Sequence, residues 1–221
     1  MQTVNVSGMM GALALPLLMT ALIAYFCGCF NGAVIVSKYI LRDDVRKYGS
    51  GNAGLTNFYR TFGGMLTFVV ILCDVLKAVI AVSAGVAICN MVMIPGYSPV
   101  LAKYISGLFC LVGHMFPFMF KFKGGKGVLS GGTIAIMIDW RVALVVWGGF
   151  IILVVLTRYV SLGSCWAGAS FPFATWFVFH SVLLTVLGML MGWSLVYMHR
   201  ANIKRLLSGT ESKFSFRKKK S

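Results

Sequence analysis

The sequence predicts an all-α protein that crosses a membrane about seven times, and three observations support this fold class. Of the 221 residues, 59% are hydrophobic and only 11% are charged, whereas soluble domains are about 25% charged. The apolar residues form runs that approach the roughly 20 residues of a spanning helix. Lys and Arg outnumber Asp and Glu by 20 to 5, and they concentrate between these runs. A soluble enzyme and a disordered chain are both excluded.

Seven apolar runs account for the predicted helices. One stretch is tight, because 128–157 must cross twice in about 30 residues while two full spans need roughly 40. We expect seven passes. Five passes, with 128–157 as a surface hairpin, remain an open alternative. The runs cover residues 9–39, 62–94, 100–120, 128–138, 142–157, 162–179 and 182–198.

The basic residues predict the orientation. With seven passes and an outer N-terminus, the inner segments are 41–61, 121–127, 157–161 and 199–221, which hold 16 of the 20 Lys and Arg residues. Lys38, at the inner end of the first run, makes 17, and no basic residue precedes it. Because basic loops stay on the cytosolic side, we expect an N-out/C-in chain whose first run is a span and not a signal peptide.

A glycine-rich segment, 41–61, carries the first candidate binding residues. Glycines let backbone N–H groups approach an anion closely, and the segment leads into an apolar helix whose N-terminus favours phosphate. An arginine can add a bidentate contact, although a flexible connector is an equal alternative. The candidates are Ser50, Asn52, Thr56, Asn57 and Arg60.

A Gly-Gly-Lys-Gly turn closes the second polar segment, 113–127. An ammonium group surrounded by backbone amides suits an anion, so Lys126 is a candidate phosphate ligand together with Gly124, Gly125 and Gly127. His114, earlier in the segment, is either a site residue or a hydrogen-bonded structural histidine.

Two further polar segments lie on the same predicted face. In 157–164, Ser161 and Ser164 are either ligands or helix caps. In 199–213, His199 and Asn202 share one helical face, and we expect the neighbouring cations Arg200, Lys204 and Arg205 to lower the pKa of the histidine. The alternative here is an amphipathic basic helix lying on the leaflet, followed by a basic tail over 214–221 that anionic lipid attracts.

The remaining ionisable residues restrict the chemistry. Asp43, Asp44 and Glu211 are the only carboxylates in the inner segments, so we expect no metal and no paired-carboxylate catalysis. Asp74 and Lys77 lie three residues apart within a span and should pair with each other. The six cysteines have no zinc-ligand spacing, and we interpret them as structural thiols. The donor-rich set suits an anionic cytosolic substrate, and we expect neither a cofactor nor nucleic acid as a partner.

Three segments together resemble the motifs of the bacterial acyl-phosphate:glycerol-3-phosphate acyltransferase family. They are 49–60 (GSGNAGLTNFYR), 113–127 (GHMFPFMFKFKGGKG) and 199–211 (HRANIKRLLSGTE), in the family's order. The resemblance covers nearly the whole chain. It departs at 28–32, where GCFNG replaces the usual Gly-Ser-Ile-Pro, and at Leu129-Ser130, where Ala-Thr is commoner.

The resemblance implies transfer of a fatty acyl group from acyl phosphate to the 1-hydroxyl of glycerol-3-phosphate, giving lysophosphatidic acid and phosphate. This is the first acylation step of phospholipid biosynthesis. It implies a single seven-helix domain over 1–221 in the bacterial inner membrane, with a cytosolic site, and we expect a monomer. An organic-anion transporter or channel is the alternative.

The resemblance also assigns roles to the candidates. Ser50, Arg60 and Lys126 would hold the glycerol-3-phosphate phosphate with Ser161 or Ser164, and the other polar residues of 49–60 would organise the loop or hold a second phosphate. His199 and Asn202 would orient the glycerol hydroxyls. His114 and the Gly-Gly-Lys-Gly turn would line the donor end, and the acyl chain would lie in a groove between apolar helices.

Overall fold

The computed structural model describes residues 6–91 and 98–214, and every regular element in these ranges is helical. The predicted end of the second run, at 94, and the basic tail from 215 onward lie outside them. Ten α-helices follow one another, with a π-helical turn at Val36–Ile40 and 3₁₀ turns at Val45–Lys47 and Phe118–Phe120. The helices are α1 (Val6–Cys29), α2 (Gly32–Ile35), α3 (Leu55–Thr61), α4 (Leu66–Asn90), α5 (Val100–Met115), α6 (Val128–Ile138), α7 (Trp140–Thr157), α8 (Val160–Phe179), α9 (Val182–Met198) and α10 (Arg200–Leu207).

Four helical segments in the described ranges are long and apolar enough to cross a membrane: Leu13–Ile40, Leu66–Asn90, Val100–Phe120 and Trp140–Thr157. α9 would make a fifth if it is taken together with α10, to which it is bent by 58°. The 11 residues of α6 span about 16 Å, roughly half of the hydrocarbon core. The all-α membrane fold is thus confirmed for the described residues, and seven crossings stay a prediction.

α6 is buried inside the bundle. It packs against α4, α5 and α7, and most of its residues are buried. Lys103, near the start of α5, donates to the carbonyl of Ile138, the last residue of α6 (3.3 Å). The five-pass alternative required 128–157 to form a surface hairpin. The segment 128–138 is instead buried among the other helices.

Glycines bring two helix pairs into backbone contact. A Cβ at Gly28 of α1 would overlap the carbonyl of Cys110, and one at Gly113 of α5 would overlap the carbonyl of Tyr25. α8 and α9 meet in the same way at Gly168 and Gly192. Small residues permit such close approach in membrane bundles, and here they hold the end of α5 beside the end of α1.

The first apolar run is not one continuous helix, because it breaks after α1. Asn31 stands where the resembling family has proline, and its side chain accepts a hydrogen bond from the N–H of Val34 (3.1 Å), capping α2. Its amide nitrogen also donates to the carbonyl of Ala53 (3.1 Å). The departure at 28–32 therefore ties the helix break to the glycine-rich segment.

Candidate active site

The four polar segments meet at one end of the bundle around a cavity of about 610 Å³. Asp74 lines it from a position eight residues into α4, about 12 Å from the start of that helix, so the cavity reaches into the bundle. Its apolar side is formed by Leu129, Trp147, Phe150 and Val160. Of the predicted site residues, those that line it are Ser50, Asn52, Thr56, Asn57, Arg60, His114, Lys126, Gly127, Ser161, Ser164, His199 and Asn202.

Asn57 organises the glycine-rich segment. Its amide nitrogen lies 3.0–3.1 Å from the carbonyl oxygens of Val45, Tyr48 and Asn52, and its amide oxygen accepts from the N–H of Ser50 (3.1 Å). The side chain is buried, and both ends of the amide are engaged. Asn57 therefore shapes the loop, which is one of the two roles considered for it, and the other, holding a second phosphate, stays a prediction.

Three cations surround the cavity. The guanidinium of Arg60 donates to the carbonyl of Ser212 (3.3 Å), and Arg205 forms an ion pair with Glu211 (2.6 Å). The ammonium of Lys126 donates to the side-chain oxygen of Asn202. Burial, helped by the positive charge of Arg205, lowers the pKa of Lys126 to about 8. The ammonium is therefore poorly solvated, which favours pairing it with an anionic ligand.

His199 lies at the bend between α9 and α10 and is 3% exposed. Its Nδ1 is 2.8 Å from the carbonyl oxygen of Leu195, and since a carbonyl only accepts, Nδ1 carries the proton and Nε2 keeps a lone pair. Burial, followed by the charge of Lys126, lowers the pKa of His199 to about 4. The predicted direction agrees, but burial is the larger cause and Lys126 is the cation that acts. His199 is thus a neutral hydrogen-bond acceptor at pH 7.

Asn202 is held at both ends of its amide. The amide oxygen accepts from Lys126, and the nitrogen donates to Glu211 (2.7 Å). Its partners therefore hold Asn202 between Lys126 and Glu211, and its role in orienting the glycerol hydroxyls stays a prediction. The Glu211 side chain is 6% exposed and also accepts from Arg205. Sequence reasoning did not select Glu211, although a lone carboxylate in so basic a segment was the available signal.

The two serines of α8 differ in their surroundings. Ser164 donates to the carbonyl of Val160 (2.8 Å), while the buried hydroxyl of Ser161 lies beside the carboxylate of Glu211. The N-cap of α8 is Tyr159, without a side-chain capping bond. The helix-cap alternative is therefore wrong for both serines, and the hydroxyl of Ser161 lies at the cavity next to Glu211.

A buried charge cluster forms part of the cavity wall. Asp74 and Lys77 pair as expected, with 2.7 Å between carboxylate and ammonium and only 4% of each side chain exposed. Sequence reasoning missed two further contacts of this ammonium, to Nδ1 of His114 (2.5 Å) and to the carbonyl of Phe30 (3.1 Å). His114 is therefore fixed by its ion-pair neighbours.

Gly124 and Gly125 do not line the cavity. Their N–H groups donate to the carbonyls of Met115 and His114 (both 3.1 Å), and a Cβ on Gly125 would overlap Nε2 of His114. Their amides are therefore used to fold the turn onto the end of α5, which corrects the expectation that they face a ligand. The turn nevertheless places Lys126 and Gly127 in the cavity wall.

Residues 211–214 fold back over this end of the bundle. The N–H of Phe214 donates to the carbonyl of Arg158 (2.7 Å), and its ring lies 6.0 Å from that of Tyr59. Glu211 and Ser212 line the cavity. The chain after α10 thereby completes the wall between the first and third polar segments.

No metal site is found within the described ranges, since no group of three or more His, Cys, Asp or Glu side chains there could hold an ion. The six cysteines are free thiols. The cavity combines cations, one neutral histidine acceptor and an apolar side, and the carboxylates that line it are both paired with cations. Fold and site together define a helical membrane protein with a cavity suited to an amphiphilic anion.

The family model for glycerol-3-phosphate acyltransferase matches residues 5–209. The chain is 36% identical over 195 residues to the glycerol-3-phosphate acyltransferase of Thermoanaerobacter pseudethanolicus, covering 88% of this chain and 94% of the relative. It is 34% identical over 232 aligned residues to that of Chlorobium luteolum, covering 92% and 99%. The chain therefore belongs to the glycerol-3-phosphate acyltransferase family, which confirms the resemblance and the prediction of an acyltransferase.

Two solved structures of PlsY, an integral membrane glycerol 3-phosphate acyltransferase, share the fold. The glycerol 3-phosphate form matches with a TM-score of 0.76 and 31% identity, covering 90% of this chain and 96% of the other. The lysophosphatidic acid form matches with a TM-score of 0.75 and 30% identity, covering 90% and 95%. The transporter alternative is not favoured by these matches.

Proposed function

We propose that this acyltransferase transfers a fatty acyl group from acyl phosphate to the 1-hydroxyl of glycerol-3-phosphate, releasing lysophosphatidic acid and phosphate. The acceptor is supported by the names of the relatives and by the glycerol 3-phosphate form of the matched structure. The cationic cavity with one apolar side is consistent with an anion that becomes attached to a fatty chain.

Both carboxylates that line the cavity are paired, and this observation favours acyl phosphate as the acyl donor. Asp74 is paired with Lys77, and Glu211 accepts from Asn202 and Arg205. Neither carboxylate is therefore free to act as a general base, and the low pKa of His199 makes it a weak base. An acyl phosphate needs little help, because it is already activated and its phosphate can accept the proton of the attacking hydroxyl.

In the proposed step, the glycerol 1-hydroxyl oxygen attacks the acyl carbon and the carbon–oxygen bond to phosphate breaks. The leaving phosphate takes the bonding electrons and the hydroxyl proton. Arg60 and Lys126 hold the phosphate of glycerol-3-phosphate with the hydroxyls of Ser50 and Ser161, and Nε2 of His199 accepts a hydrogen bond from the substrate. The protein thus contributes alignment and charge stabilisation.

The acyl chain of the donor would lie along the apolar side of the cavity. Leu129 of α6, Trp147 and Phe150 of α7 and Val160 of α8 provide this surface. The acyl chain would then point into the bundle, while the phosphates of both substrates stay among the cations.

We further propose that the single domain spans the bacterial inner membrane seven times, N-out and C-in. The cavity is lined by residues at or next to the ends of α5 (His114), α6 (Val128), α8 (Val160) and α9 (His199), and cations of the basic segments lie there too, which supports this arrangement. The positive-inside rule then makes the cavity cytosolic. We propose in addition that the enzyme is a monomer.

The test is turnover by the purified protein in detergent, where transport has no meaning. Palmitoyl phosphate and glycerol-3-phosphate should give lysophosphatidic acid and phosphate in equal amounts. Acyl-CoA and acyl carrier protein thioesters are the control donors. Turnover with a thioester but not with acyl phosphate would refute the proposed donor.

A further inference from the structure

The buried ammonium of Lys77 decides which nitrogen of His114 carries the proton. Lys77 has three acceptors around it: the carboxylate of Asp74, the carbonyl of Phe30 and Nδ1 of His114. An ammonium has three N–H groups and no lone pair, so each of its hydrogens matches one of these acceptors. Nδ1 of His114 must then be unprotonated, because an N–H there would face another donor at 2.5 Å.

In a neutral imidazole the proton must therefore be on Nε2. This nitrogen makes no hydrogen bond to any residue in the described ranges. It faces the α-carbon of Gly125, in the turn that brings Lys126 and Gly127 to the cavity, and His114 itself lines that cavity. The only polar hydrogen of the imidazole thus lies beside the turn that places Lys126 and Gly127 in the cavity wall.

We propose that Lys77 is a positioning residue that fixes His114 as the Nε2–H tautomer, so that His114 donates a hydrogen bond to an oxygen of the acyl phosphate. The tautomer follows from the contacts alone, while the identity of the acceptor rests on the proposed function. Asp74 holds the Lys77 side chain in place, since the two side chains form an ion pair with almost no exposure to solvent.

The two cavity histidines then have opposite hydrogen-bonding polarity. His199 donates from Nδ1 to Leu195 and presents an accepting Nε2, which suits the hydroxyl of the acceptor substrate. His114 accepts at Nδ1 from Lys77 and presents a donating Nε2–H, which suits an anionic oxygen. The neighbours of each ring, not its sequence context, make this difference.

The first test is the ¹⁵N spectrum of histidine-labelled protein in detergent near pH 7, which distinguishes the two neutral tautomers. The chain has three histidines, and a His180→Asn variant, changed at the end of α8 away from the cavity, assigns the third signal. We expect Nε2–H for His114 and Nδ1–H for His199. A proton on Nδ1 of His114, or an imidazolium there, would overturn the assignment.

The second test removes the positioning pair. Lys77→Met alone would leave a buried carboxylate unpaired and endanger folding, so it is combined with Asp74→Leu, which removes both charges together. We expect His114 to lose its fixed tautomer and kcat to fall about tenfold to a hundredfold, as for one lost hydrogen bond to a charged group. The KM for glycerol-3-phosphate should change by less than about threefold, because Lys77 acts at the donor end.

A pair of His114 variants separates positioning from packing. The amide of His114→Gln reaches the place of Nε2 and can donate, whereas that of His114→Asn reaches only the place of Nδ1. We expect the Gln variant to keep the higher kcat by at least about tenfold. Equal activity of the two variants, or unchanged ring nitrogens in the double variant, would refute the proposal. If the tautomer is as expected but acyl phosphate is not a substrate, the proposed function fails and the role of His114 as a donor to acyl phosphate fails with it.

Discussion

Lys126 gives the sharpest test of the phosphate site, because its ammonium titrates within an accessible pH range. Burial first, and then Arg205 and Arg60, lower its pKa to about 8, while Glu211 opposes them. In the empty enzyme the charged fraction then falls from about 0.9 at pH 7 to about 0.1 at pH 9. Glycerol-3-phosphate stays a dianion throughout, since the second pKa of a phosphate ester is about 6.

Between pH 7 and pH 9 Lys126 loses its charge while glycerol-3-phosphate keeps its own, so binding should weaken as pH rises. A lowered pKa means that the binding-competent ammonium is lost as pH rises through about 8, so kcat/KM for glycerol-3-phosphate should fall about tenfold between pH 7 and pH 9. A charge-assisted hydrogen bond contributes about 1.5–3 kcal/mol, so the total fall should level off at about 10- to 150-fold. A bound phosphate raises the pKa again, and kcat at saturation should therefore change little.

The assay is the initial rate of phosphate release at several glycerol-3-phosphate concentrations between pH 6.5 and 9.5. Lys126→Arg should be slower, because a planar fork replaces a point charge, but its kcat/KM should not fall near pH 8. Lys123→Gln, which removes an exposed charge from the same loop, is the matched control and should follow the unmodified protein. A flat kcat/KM in the unmodified protein, or the same fall in Lys126→Arg, would refute the reasoning.

Three other perturbations follow from the cavity. His199→Ala should lower kcat by at least about 10²-fold. His199→Gln places an acceptor near the position of Nε2 and should keep measurable activity. An equal loss of kcat in both variants would favour a role for His199 as a general base. Gly125→Ala should abolish turnover, because a Cβ would overlap His114 and press on Ala53, whereas Gly148→Ala, with open space around it, should leave kcat unchanged. Arg60→Ala should raise the KM for glycerol-3-phosphate about tenfold or more in steady-state kinetics, and an unchanged KM would remove Arg60 from the phosphate site.

Sequence reasoning located the short helix α6 accurately because local signals mark both of its ends. Gly127 has a φ of +81°, a conformation that favours glycine, and Asp139 stops α6 and caps α7 with its side chain. The break at Asn31 was missed, since it lies inside a long apolar run and its reason is a contact with Ala53, 22 residues away.

The sequence predicted which segments form the site better than it predicted the hydrogen bonds between their side chains. Glycine spacing and charge identified the segments that surround the cavity, because those signals are local. The partners of Asn202 could not be predicted, since Lys126 lies 76 residues away in the chain. The tautomers of the two histidines likewise depend on neighbours that only the packed bundle supplies.

The position of the fourth polar segment in the chain has a consequence for how the enzyme is made. His199, Asn202 and Glu211 are among the last described residues, yet they form one wall of the cavity, and Asn202 accepts the hydrogen bond of Lys126. During synthesis, a chain that has been translated only through α9 contains every long helix but not this wall. We therefore expect newly made enzyme to become active only after α10 and residues 208–214 have left the ribosome and folded back against α8, which delays acyl transfer until after α1 to α9 have been made.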